Sequence, residues 1–206
     1  MLQEKQVAGR FNRRLTIGLL LAGLIVLAAF PALSEKHVKN ETIEATAFGT
    51  GSQMGQNMGI SVEIYEFSTP ADKQVLVDAF NKGQNQGLVN ALTKMHAVGH
   101  ISVTGTLGYD LAYVHMEATP TGRTIRFVTN RQLRFGEVWS DSQSTSFNLT
   151  AGEFNVNDTD KSKSTGVLYP ECQLAIDKEG QLKIELNQNA WRLADVIDWK
   201  GTAGVN

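Results

Sequence analysis

Residues 60–95 read ISVEIYEFSTPADKQVLVDAFNKGQNQGLVNALTKM, and a change of period inside this stretch decides the fold. Ile60, Val62 and Ile64 alternate with Ser61, Glu63 and Tyr65, the two-residue period of a half-buried strand. At Thr69 that period ends. Thr69 is placed as a helix N-cap, Pro70 suits the first helical position, and Asp72 follows three residues after the cap, near the positive end of the helix dipole. Val75, Leu76, Ala79 and Phe80 then share one helical face, and Gly83 stops the turn. After a linker at 84–87, Leu88, Val89, Leu92 and Met95 form a second apolar stripe. The spacing therefore predicts a helical hairpin over residues 70–97.

Outward from the hairpin the pattern is that of strands: 42–48 and 60–67 before it, then 101–106, 109–117, 124–130, 146–156, 166–176, 181–186 and 191–199. Turn chemistry separates them at Gly105-Thr-Leu-Gly108, Thr119-Pro-Thr-Gly122 and Asp177-Lys-Glu-Gly180. The last segment, AWRLADVIDWK, would also suit a helix through Leu193, Val196 and Ile197; it is read as a strand because LKIEL before it is one and NQNA resembles a turn. Strands joined by short turns are most simply antiparallel. The fold expected is α+β: a mainly antiparallel sheet of about seven to nine strands, a sandwich or partial barrel, with the helical hairpin packed on one face.

The chain opens MLQEKQVAGRFNRR, with Lys5, Arg10, Arg13 and Arg14 against the single acid Glu4, and continues into the uncharged run Leu15 to Phe30. A basic segment followed by about 16 apolar residues is the pattern of an export signal, and it is short for a spanning helix. Pro31 breaks the run, and Ala32-Leu33-Ser34 places cleavage between Ser34 and Glu35. The organisation expected is a signal peptide at 1–34, a flexible leader at 35–41, one α+β domain at 42–200 and a disordered tail at 201–206. The exported domain is then periplasmic or extracellular; an uncleaved signal would anchor it by a single span, its one route to a membrane. Arg13-Arg14 lacks the rest of a twin-arginine pattern, and no cysteine stands near residue 34 to carry a lipid.

Of 19 Lys+Arg and 21 Asp+Glu, four cations and one acid lie in residues 1–34, which leaves 15 against 20 in the remainder. That remainder is mildly acidic. Arg123, Arg126, Arg131 and Arg134 are scattered, so there is no clustered basic surface to displace counterions, and nucleic acid is not an expected partner. The single cysteine, Cys172, excludes an intrachain disulfide framework. Stability must come from an ordinary apolar core, which a chain of this length can bury.

The stretch VEIYEFSTPADKQVLVDAFNKGQNQGLVNALTKMHAVGHI, with LGYDLAYV, TGRTIRFVTNR and a closing WRLADV, resembles a family of exported bacterial proteins to which no function is assigned. The resemblance covers most of residues 60–198, and the capped helical hairpin with DAFNKG and ALTKM is its most specific part. The family pattern has an Asp where Asn130 stands. The resemblance implies an exported α+β domain and no activity.

Candidate chemistry is sparse. Gly49, Gly51, Gly55 and Gly59 are spaced GxGxxxGxxxG, but they lead into a strand and no Lys-Ser or Lys-Thr completes a phosphate loop, so they read as turn formers. His96 and His100 have the four-residue spacing of a zinc pair; with Gly99 between them at the expected helix end, solvent-facing histidines explain them as well. Asp158, Asp160, Ser162 and Ser164 alternate as calcium ligands do, yet Lys163 stands where glycine is needed and Tyr169 where a bidentate glutamate is needed. Cys172 has no partner base in the sequence. Tyr109, Leu111, Tyr113 and His115 recur at every second position of one strand, the pattern of an aromatic ligand groove or of a sheet face under the hairpin. Tyr109, Tyr113 and His115 are therefore the candidate ligand-binding residues, with no catalytic residue, metal or cofactor implied. The function expected is a non-enzymatic exported module that binds a small apolar ligand or an envelope partner. The alternative is an exported hydrolase with a non-sequential site, using His115 or His100 as base.

Overall fold

The computed structural model describes residues 40–133, 146–176, 178 and 182–200. Contacts divide the chain into Met1–Ser34 and Glu35–Asn206, and every described residue belongs to the second unit. The expected signal, its Ser34/Glu35 cleavage site, most of the leader, the turn around Gly180, Arg134 and the tail at 201–206 lie outside the described residues.

Ten strands and one helix follow in the order β1 (Glu41–Phe48), β2 (Asn57–Ile64), α1 (Pro70–Leu92), β3 (Gly99–Val103), β4 (Tyr109–Leu111), β5 (Tyr113–Thr119), β6 (Gly122–Thr129), β7 (Leu149–Asn157), β8 (Thr165–Ile176), β9 (Leu182–Leu186) and β10 (Trp191–Trp199). All pairings are antiparallel. Nine strands run in the order β4-β3-β2-β1-β10-β8-β7-β6-β5, and β9 pairs with β8 off this path. The two ends of the path, β4 and β5, are separated only by Ala112, whose N–H donates to Val128 O at 3.3 Å. The sheet therefore curls into a nearly closed barrel of nine strands. Ser68 fastens the seam: its N–H donates to Val114 O (2.8 Å), and its hydroxyl oxygen accepts from Val114 N–H (3.0 Å).

Alternation along the strands fills the interior. Ile43, Ala45 and Ala47 of β1, Ile60, Val62 and Ile64 of β2, and Ile125 and Phe127 of β6 are buried together with Phe154, Leu168, Trp191 and Leu193. Gly152 makes room for one of them, because a Cβ there would lie 2.2 Å from the Phe127 ring. The ambiguous last segment is strand β10, paired with β1 and β8.

The expected helical hairpin is replaced by one helical element with a kink. Gly83 (φ −139°, ψ 16°) and Gln84 (φ 49°, ψ −144°) leave helical geometry, and the chain is helical again from Asn85, so residues 85–87, read as linker, are part of α1. The physical reason is Asn85, a buried polar side chain that ties the kink to the sheet. Its Nδ2 donates to Ser146 O (3.1 Å) and Asn148 Oδ1 (2.8 Å), and its Oδ1 accepts from Leu174 N–H (2.9 Å). The start of α1 is as expected, with Thr69 and Asp72 in a reciprocal capping box around Pro70. Leu76, Phe80, Leu88 and Leu92 pack on the outside of the barrel against Ala112, Leu149 and Cys172. Val75, assigned to the same face, is exposed.

Candidate functional site

The four residues expected to share a strand face are divided between the two sides of the barrel wall. Ala112 interrupts the strand and shifts its parity: Leu111 and Tyr109 belong to the interior cluster, whereas Ala112 and Tyr113 face the helix outside. Tyr113 and His115 remain together, their rings stacked with centroids 6.3 Å apart. Tyr109 and Tyr113 therefore do not line one groove. The change of strand partner across Ala112, from β3 to β6, carries no sequence signal beyond a small residue in an apolar run.

The other candidates also separate. His96 pairs with Glu66 (Nε2 to Oε1, 2.6 Å), while His100 on β3 contacts Leu107 O (2.8 Å) and Asp110 Oδ1 (3.3 Å). Each imidazole thus has its own carboxylate, and among the described residues no group of three or more His, Cys, Asp or Glu is arranged to hold a metal. In the β7–β8 connection, Asp160 accepts from Ser162 N–H (3.2 Å) and Ser162 Oγ (2.6 Å), and Lys200 Nζ lies 2.5 Å from Asp158. Those bonds hold both carboxyls below their ordinary pKa. Cys172 is buried beneath α1, where desolvation pushes its thiol up to about 12, far from the thiolate that nucleophilic chemistry needs. Among the described residues no Ser, Thr or Cys side chain bonds to a histidine. Gly49 to Gln56 form the β1–β2 connection, closed by Gly49 N–H to Gln56 O at 2.9 Å.

Two features escaped the sequence reading. The first is a charged layer at one end of the barrel interior, made by Glu41 of β1, Arg123 of β6 and Asp198 of β10. Arg123 is bidentate to Glu41, with Nη1 2.9 Å from Oε2 and Nη2 bonded to Oε1, and Nη2 also donates to Asp198 Oδ2 at 2.5 Å. Two carboxylates thus share one guanidinium. Burial raises the Glu41 pKa, and Asp198 adds to the rise, against the opposing pull of Arg123. Burial works against the Arg123 charge, but Glu41 and Asp198 outweigh it and raise its pKa. Arg123 Nε and Asp198 Oδ1 are buried without a hydrogen-bond partner. Glu41, read as the end of a leader, is fully buried at the start of β1.

The second feature is the β8–β9 ribbon. β10 pairs with the first part of β8 and β9 with the last part, so β9 lies off the barrel path. Among the described residues β9 pairs with β8 alone, which leaves its other edge open. Cys172, Leu174 and Ile176 of β8 stand opposite Leu186, Ile184 and Leu182 of β9. Alternation places Cys172, Leu174, Ile176, Ile184 and Leu186 on the face that α1 covers further along. Cys172 and Leu174 lie in the cluster with the helix; Ile176, Ile184 and Leu186 continue that stripe into solvent, each 40–45 % exposed. On the opposite face, Lys183 Nζ lies 2.8 Å from Glu185 Oε1, and Gln173 Nε2 donates to Glu185 Oε2 at 2.7 Å.

Comparison with models of known families, with characterised proteins and with solved structures finds no match.

Proposed function

We propose that this chain is a non-enzymatic, exported binding module that engages a protein partner by strand addition at β9. One observation carries the reading: a strand edge left open among the described residues beside a stripe of exposed apolar side chains, Ile176, Ile184 and Leu186. An open edge presents backbone donors and acceptors to an added strand, and alternate side chains supply apolar contact and specificity. Of the two ligand classes expected from the sequence, the partner is favoured over the small apolar molecule. Trp191, Phe127, Phe154 and aliphatic side chains fill the barrel, and an internal ligand would have to displace them.

A photoreactive benzophenone amino acid at position 184 of the full chain, irradiated in the producing cells, tests the reading. Protein adducts at 184, with none from the same group at exposed Tyr65, are the expected result; no adduct at 184 overturns it.

A further inference from the structure

The sequence of β9 is Leu182-Lys183-Ile184-Glu185-Leu186, which reads the same in both directions in apolar pattern and opposite in charge. We infer that the partner at this edge is a second copy of the chain, paired antiparallel through β9 about a twofold axis at Ile184. The inference rests on the strand-addition reading above and names its occupant.

In that register Lys183 of each copy stands directly across from Glu185 of the other, twice per interface, and Ile184 faces Ile184. Directly opposed residues on one face of an antiparallel pair have Cβ atoms about 4.5–5.5 Å apart, where opposite charges stabilise and like charges destabilise. Other registers fail on the same strand. A centre at 183 would oppose Lys183 to Lys183, and a centre at 185 would oppose Glu185 to Glu185. A centre between 184 and 185 would set Lys183 against Leu186 and bring the apolar residues of the two copies to opposite faces. Parallel pairing about a twofold axis keeps the two copies in register and would place like charges beside each other. The charges select one register and one direction, which is what an isologous interface requires.

Local contacts prepare the edge. Glu185 accepts from Gln173 and pairs with Lys183 of its own strand, so both charges lie on the face where a second copy would meet them. On the opposite face, the stripe of Ile176, Ile184 and Leu186 would be met by the same stripe of the other copy, shielding apolar surface that the single copy leaves exposed.

Cysteine cross-linking in the full chain tests this directly, because the native Cys172 is buried and does not compete. Under mild oxidation, Ile184→Cys is expected to give a disulfide-linked species of twice the chain mass. Val77→Cys, at an exposed site on α1, is expected to give none. In the Ile184→Cys background, Lys183→Glu or Glu185→Lys alone should lower the cross-linked fraction about tenfold, since both crossings change from attraction to repulsion. The double exchange should restore it. Absence of the cross-link with wild-type charges, an equal yield from Val77→Cys, insensitivity to the single changes, or failure of the double exchange to restore it would each overturn the second copy as partner. The benzophenone at 184 separates the two levels: adducts only of a mass other than twice the chain keep strand addition and overturn self-pairing, and no adduct overturns both.

Discussion

Arg123 holds one positive charge between two carboxylates inside the barrel, so the most buried ionic group among the described residues carries one more acid than base. Removing the guanidinium would leave Glu41 and Asp198 buried and facing each other. Arg123→Met is therefore expected to cost about 3–5 kcal/mol, measured by urea unfolding at neutral pH. Glu41 behaves differently. Its folded pKa lies above the ordinary 4.5 because burial penalises the charged form. Between those two values the folded chain holds a proton that the unfolded chain has released. The resulting stabilisation is fully present below the unfolded pKa and is lost as pH rises through the folded one. Glu41→Gln removes this titration, so unfolding free energy measured from pH 4 to pH 8 should fall less steeply than in the wild type. An unchanged slope would show that Arg123 already holds Glu41 ionised throughout.

At the scale of elements, α1 is where local preference and tertiary contact meet. Its start is fixed by the residues themselves, through the Thr69–Asp72 box and Pro70. Its kink is not: Gln84, at φ 49° and ψ −144°, adopts a conformation that costs a side-chain-bearing residue about 1–3 kcal/mol and glycine little. Gln84→Gly should therefore raise stability, by about 1 kcal/mol once the looser unfolded chain is counted. A loss would mean the helix relaxes without the kink. Phe80 lies in the cluster between α1 and the barrel wall. Phe80→Ala is expected to cost about 3–5 kcal/mol, seen as a lower midpoint in thermal unfolding. A midpoint within a degree or two of wild type would mean that the helix face does not hold the fold.

For the molecule as a whole, the barrel wall and the β8–β9 ribbon should differ in local stability. Among the described residues β1, β2, β6, β7 and β10 each have two strand neighbours and an interior side packed into one cluster, whereas β9 has one neighbour and exposed side chains. Hydrogen exchange in the Lys183→Glu variant should show amides of Ile184 to Leu186 among the first to exchange in the sheet, and those of Ile43, Val62 and Phe127 among the last. Uniform exchange across the sheet would place the ribbon inside the same cooperative unit as the barrel.

Much of this architecture is written locally. The alternation of Ile60, Val62 and Ile64, the cap at Thr69, and the apolar positions Leu76, Phe80, Leu88 and Leu92 specify strand, helix start and buried face, because period and capping depend on residues a few positions apart. What the sequence left open depends on partners far along the chain. The kink in α1 is set by Asn85 reaching Leu174, and the parity shift at Ala112 by the seam through Val114 and Val128. Arg123 is one arginine among several in sequence, and only barrel closure brings Glu41 and Asp198, 82 and 75 residues away, onto its guanidinium. LKIEL was legible as a strand, but the edge it leaves open among the described residues follows from strand order, a property of which distant segments pair and not of any one segment's residues.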